Sequence, residues 1–333
     1  MKNPWVFIVV LFTIGLALLL GIALGRYSSR SLAGEMADAA CAVSMTEIIA
    51  SAQGDVYAPL EGEETVPVES QYLVTYSVEG DVITGPIETS ILNNLTDEQK
   101  DAALQNSAWD LFTRFIPAKN RQMVVQYNIF TDGYSNTLAA VDQNPDDPSQ
   151  WILEIDIADI KDKDSFLFTL IHEYAHLLTL NDSQVIPDKE IVDNPSDFSL
   201  QLKKAAACPT YFTGTGCSYA DSYIHAFYTR FWLDINDEWE KIDVLLYNEE
   251  DDDELYYDGL YNFYKSHQDQ FVDDYATTHP TEDIAESFAY FVFSPKPAGN
   301  SIKEQKIAFF YEYPELVELR ASILSNMCLV QDK

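Results

Sequence analysis

Two histidines four residues apart, with a glutamate directly after the first, are the residues of this chain best suited to chemistry: His172-Glu173-Tyr174-Ala175-His176. On a helix, side chains at i and i+4 lie one turn apart on the same face, so both imidazoles can converge on one cation. Glu173 follows the first histidine by about 100° of helix rotation, which places its carboxylate beside such a cation and not on it. That is the position of a general base, and the spacing is the HExxH signature of zinc-dependent hydrolysis. The helix that must carry these residues, 166–180, has Leu167, Leu170, Ile171, Tyr174 and Leu178 in a stripe opposite the histidines. One face is expected to pack and the other to face a cleft. Phe166, Phe168 and Leu177 make the flanks apolar too, and imidazoles on so apolar a helix have to be satisfied by something.

A catalytic zinc takes three protein ligands and a water, so one more donor is required. The metzincin extension needs Gly and His where this chain has Thr179 and Asp182, and a glutamate about twenty residues past the second histidine is replaced by Ser196. Farther on, Pro280 opens a helix with Glu282 and Glu286 on one face. Carboxylates at i, i+4 repel, and their pairing makes sense when a cation or a histidine sits against them. His279, three residues before Glu282, is a rival donor.

Tyr275, Glu282, Ala285, Glu286 and Phe288 reproduce in order a tyrosine followed by an E-x-x-A-E-x-F helix. With HExxH upstream, this resembles the gluzincin family whose best-known member is the catalytic domain of anthrax lethal factor. The resemblance covers two short motifs. It implies one Zn²⁺ held by His172, His176 and Glu282, with Glu286 orienting a zinc histidine and Tyr275 as hydroxyl donor to the transition state. It also implies an α+β, zincin-like fold with an edge strand that holds extended substrate by backbone pairing. The strand expected at 151–157 is the candidate edge.

The elements that position these residues are legible in part. Residues 71–78 are rich in β-branched and aromatic residues, as a strand is, and are followed by a Gly80-Asp81 turn. Thr96 and Gln99 match a capping box opening a helix that runs to Ile116, before Pro117. Strands are expected at 123–130 and 151–157, separated by Asp132-Gly133 and by the loop 144–148. The sheet thus precedes the metal helix. Beyond that helix, Cys208 and Cys217 bracket a turn-rich loop in which Gly214 and Gly216 let the backbone fold back, so their disulfide is expected; Cys41 with Cys328 is the pairing left over. An aromatic-rich helix is expected over 222–242, with His225 as a packing residue, and the acidic run 249–254 as a solvated loop.

Residues 5–25 carry no charge, and twenty-one residues at about 1.5 Å each reach roughly 31 Å, enough to cross a bilayer. The expected organisation is a transmembrane anchor or cleaved signal at 1–30, a stalk at 31–70 and one metallopeptidase domain at 71–333. With 20 Lys+Arg against 54 Asp+Glu, a net charge of -34 repels nucleic acid. The expected function is a single-pass, membrane-anchored extracytoplasmic zinc endopeptidase acting on protein or peptide, or a secreted one if the first segment is cleaved. The alternative is a zincin-fold surface binding module without catalysis.

Overall fold

The structure, a computed structural model, describes residues 45–51, 70–91, 95–132, 137–247 and 253–331. The apolar run at 5–25, most of 31–70, most of the acidic run and the pairing of Cys41 with Cys328 lie outside what is described. Among the described residues no helix is long and apolar enough to cross a membrane.

The fold is α+β. Five strands, β1 (Gln71–Glu79), β2 (Val82–Glu88), β3 (Val124–Thr131), β4 (Ala139–Gln143) and β5 (Trp151–Asp156), form one sheet in the order β2-β1-β3-β5-β4. Only β3 and β5 are parallel; the other neighbours are antiparallel. β5 is therefore an inner strand, buried at all six positions, and the edge on its far side is the short β4, which corrects the expected edge at 151–157. Of the two acidic residues of β5, Glu154 is satisfied within the sheet. Glu154 accepts from Asn128 Nδ2 at 2.7 Å on β3 and from Tyr72 Oη at 2.8 Å on β1.

The hairpin β1–β2 turns at Gly80, whose φ of 66° is open to glycine without strain. Helix α1 (Ala102–Phe115) packs Trp109 against Tyr127, with Tyr76 stacked on Tyr127. The expected capping box is not used as one. Residues Thr96–Lys100 form a separate short turn, and α1 starts at Asp101, whose carboxylate accepts from Leu104 N at 3.0 Å. Gln99 instead ties this turn to the sheet, donating to Leu73 O at 2.9 Å and Thr89 O at 2.8 Å.

Helix α2 (Lys163–Leu180) carries HExxH and opens on Asp162, which accepts from Ser165 N. It is enclosed nearly all round. Leu167 and Leu178, expected on the packing face, are its more open apolar positions, while Phe166, Phe168 and Leu177 are fully covered. The side of the helix expected to face a cleft is itself covered, with His172 and His176 both buried. Against α2 lies α7 (Pro280–Phe293), on which every residue is buried except Glu282.

Between them in sequence run α3 (Phe198–Ala207), α4 (Tyr223–Phe231), α5 (Asn236–Asp243) and α6 (Asp253–Ser266), and α8 (Ile302–Phe309) and α9 (Pro314–Gln331) close the chain. The helix expected over 222–242 is two helices. The chain turns after Phe231, where the Trp232 indole is drawn inward to Asp283. Short strands β6 (Val185–Pro187) and β7 (Gly216–Ser218) pair beside them. Cys208 and Cys217 are joined in a disulfide, with Cα atoms 5.6 Å apart. Gly214 has φ +88°, and a Cβ at Gly216 would stand 2.1 Å from Ile186 O, so the loop needs glycine at both places.

Candidate metal centre

Helices α2 and α7 bring three donors together from positions more than a hundred residues apart. His172 Nε2 lies 3.0 Å from His176 Nε2 and 3.0 Å from Glu282 Oε2, and His176 Nε2 lies 3.2 Å from the same oxygen. His172 Nδ1 stands 2.8 Å from Glu286 Oε1, one turn along α7. When His172 is neutral, that contact favours the proton on Nδ1, which leaves Nε2 to present a lone pair to a cation.

With His172 neutral, three electron-rich atoms would face one another at hydrogen-bond distance without enough protons to link them. A cation between them resolves this. Zinc at about 2.0–2.1 Å from each donor separates tetrahedral ligand atoms by about 3.3 Å, close to the observed triangle. The two-histidine, one-carboxylate set is that of a catalytic zinc with a position left open.

Electrostatics agree with the geometry. Burial alone would lower His172, but the charges of Glu286 and Glu282 hold it well above the ordinary histidine range. Burial would raise Glu282, but His176 and His172 hold it well below. Glu173 is buried beside the triad, and its burial, opposed by the two imidazoles and reinforced by Glu282 and Asp142, lifts its carboxyl to about 7. That value suits a group that takes and returns a proton near neutrality.

Tyr275 lies in a short turn (Tyr275–Thr277) just before α7, its ring 5.8 Å from that of His172. The residue is 39% exposed, yet its hydroxyl meets Glu282; burial of the hydroxyl, then the charges of Glu282, Glu173 and Glu286, keep the phenol protonated. His279, the rival donor, is otherwise engaged. Its Nδ1 accepts from Thr281 N at 3.2 Å as the cap of α7, its ring packs on Trp239, and burial lowers it to about 4.

Two acidic residues around the site carry no motif of their own. Asp273 is hydrogen-bonded to Glu286 and accepts from Ala276 N at 3.0 Å; burial, then the Glu286 charge, raises its carboxyl well above the usual carboxylate range. Asp142, on the edge strand β4, lies within electrostatic reach of His176 and Glu173. Neither has a spacing that distinguishes it from the other acidic residues of the chain.

A second cluster of three carboxylates, Asp132, Asp156 and Asp159, gathers where β3 and β5 end. Asp156 accepts from Asp132 N at 2.8 Å with one oxygen and from Ala158 N at 2.7 Å with the other, and Asp132 Oδ2 takes Thr137 N at 3.3 Å. Burial lifts Asp156 to about 7 and Asp159 to about 6.

No protein-family profile, no curated protein and no solved structure matches this chain.

Proposed function

We propose that this chain is a zinc-dependent endopeptidase, anchored by the apolar run at 5–25 with its catalytic domain outside the cytoplasm. The observation that supports it most is the convergence of His172, His176 and Glu282 beside a buried Glu173. Zinc, when bound, would polarise the scissile carbonyl and bring the pKa of water towards about 7.

This chain's own groups then do the rest. Glu173 takes the proton of the attacking water and delivers it to the leaving amine. The Tyr275 hydroxyl donates to the oxygen on which charge builds. Glu286, with Asp273 behind it, keeps His172 in one tautomer. An extended peptide has a backbone to pair with along β4, the sheet edge that packs on α2.

The test is a peptide-library cleavage screen of the full-length chain with zinc, with and without a chelator. The proposal expects chelator-sensitive cleavage restored by added zinc. Full zinc occupancy with no peptide cut would remove the endopeptidase assignment. Within that screen, Tyr275→Phe is expected to keep zinc and lose about 10²–10³ in kcat.

A further inference from the structure

Lys306 on α8 has no solvent exposure, and neither has the carboxylate it meets: Nζ lies 2.6 Å from Asp283 Oδ2. The same oxygen accepts the Trp232 indole N–H at 2.7 Å, and Ser287 Oγ stands 3.4 Å from Oδ1. The ammonium sits 3.9 Å from the centroid of Phe271, with the rings of Trp232 and Phe227 at 5.8 and 6.0 Å. Burying an ion pair is costly, and an apolar pair of the same shape is often at least as stable. Stability alone therefore does not account for this one.

Its connections do. Asp283 directly follows Glu282 on α7, so fixing its carboxylate fixes the rotation of the turn that presents Glu282 to His172 and His176. Phe271 opens the segment that runs through Asp273, the partner of Glu286, to Tyr275. Lys306 also faces the charge of Asp273, and α8 is tied to the same stretch by Lys303 N donating to Asp269 O at 3.3 Å. One ammonium thus touches both pieces of chain that carry Tyr275, Glu282 and Glu286.

We infer that Lys306 is a positioning residue, which sets the separation of Tyr275 from the metal triad by holding Phe271 and Asp283 at once; this rests on the hydrolytic function proposed above. The lysine touches no substrate. It acts through the two segments it clamps.

The test uses full-length protein and four backgrounds: wild type, Lys306→Met, Lys306→Met with Asp283→Asn, and Phe271→Leu, each with Tyr275 and with Tyr275→Phe. Lys306→Met alone leaves a buried carboxylate without its cation and is expected to be poorly folded. The double change removes both charges, and Asn keeps an acceptor for Trp232, so its Tm is expected to stay near that of the wild type. In that folded variant, kcat is expected to fall by about 10 to 100-fold with KM little changed, and zinc affinity, read by chelator competition, to weaken by roughly 10-fold. Tyr275→Phe is expected to cost far less in it than in the wild type, because the hydroxyl is already out of place.

Phe271→Leu removes the ring beneath the ammonium and keeps the ion pair, and it is expected to give the same pattern more weakly. Wild-type kcat, wild-type zinc affinity and the full Tyr275→Phe loss in either folded variant would overturn the inference and leave Lys306 a structural residue. A zinc-loaded wild type that cuts nothing would instead bring down the proposed function itself.

Discussion

The two clusters of potential ligands are similar in donor number and differ in donor type and in what stands behind the donors. At His172, His176 and Glu282 the donor atoms point at one another and the outer contacts, Glu286 and then Asp273, support them from behind. At Asp132, Asp156 and Asp159 the donors are carboxylates alone: both oxygens of Asp156 and one of Asp132 also accept from backbone amides, Asp132 and Asp156 are hydrogen-bonded to each other, and burial lifts Asp156 to about 7. A set of carboxylates is not a site by count. It becomes one when lone pairs converge and a second layer of partners fixes their direction.

The largest expected effect is on metal content. Glu282→Ala is expected to strip most of the zinc, read as metal per chain by elemental analysis, because two imidazoles hold zinc poorly, whereas Asp156→Ala is expected to leave the stoichiometry at about one. Zinc lost equally in both would mean that the second cluster also carries metal. Glu173→Gln is expected to keep the zinc and lose about 10²–10⁴ in turnover, since only proton transfer is removed. Loss of metal in that variant would make Glu173 a structural residue and not a base.

Glu286→Ala is expected to weaken zinc binding by roughly 10 to 100-fold while leaving a measurable fraction bound, because it removes only the acceptor of the His172 proton. His279→Ala, at the same helix start, is expected to leave zinc in place and cost about 1 kcal/mol of stability through the lost cap.

The smallest effect is in pH dependence. Asp156 binds its proton up to about pH 7 in the folded chain and only to about 4 when unfolded, so between those values the folded state holds more protons and this group's contribution to stability falls as pH rises. Urea unfolding of the metal-free chain from pH 5 to 7 is expected to show a shallower fall in Asp156→Asn than in the parent. Zinc affinity goes the other way, weakening on acidification, because His172 must give up the proton that Glu286 and Glu282 favour. Matching pH slopes in parent and Asp156→Asn would show that the second cluster takes up no proton on folding.

What could be seen in the sequence follows from how local the signal is. HExxH is one turn of helix, and E-x-x-A-E-x-F is another, so each motif could be read without knowing the fold that joins them. Strand β5 was misplaced at the edge although Trp151-Ile152-Leu153 is the unbroken apolar run of a strand buried on both faces. The true edge, Ala139-Ala140-Val141-Asp142-Gln143, has little β-propensity and is held by pairing with β5. Thr96 and Gln99 matched a capping pattern, but tertiary contacts to Leu73 and Thr89 took the glutamine. Lys306 stands three residues after Lys303 on a mixed polar helix, and nothing local distinguishes the buried one from its neighbour.

The position of a bound metal ion decides whether His172, His176 and Glu282 form the centre. Anomalous diffraction at the zinc edge, on crystals of the zinc-loaded chain, measures this directly. The expected result is one peak about 2.0–2.2 Å from His172 Nε2, His176 Nε2 and Glu282 Oε2, with a fourth position open towards Glu173. A peak among Asp132, Asp156 and Asp159 with none at the histidines, or an ion held by His279 in place of Glu282, would contradict it.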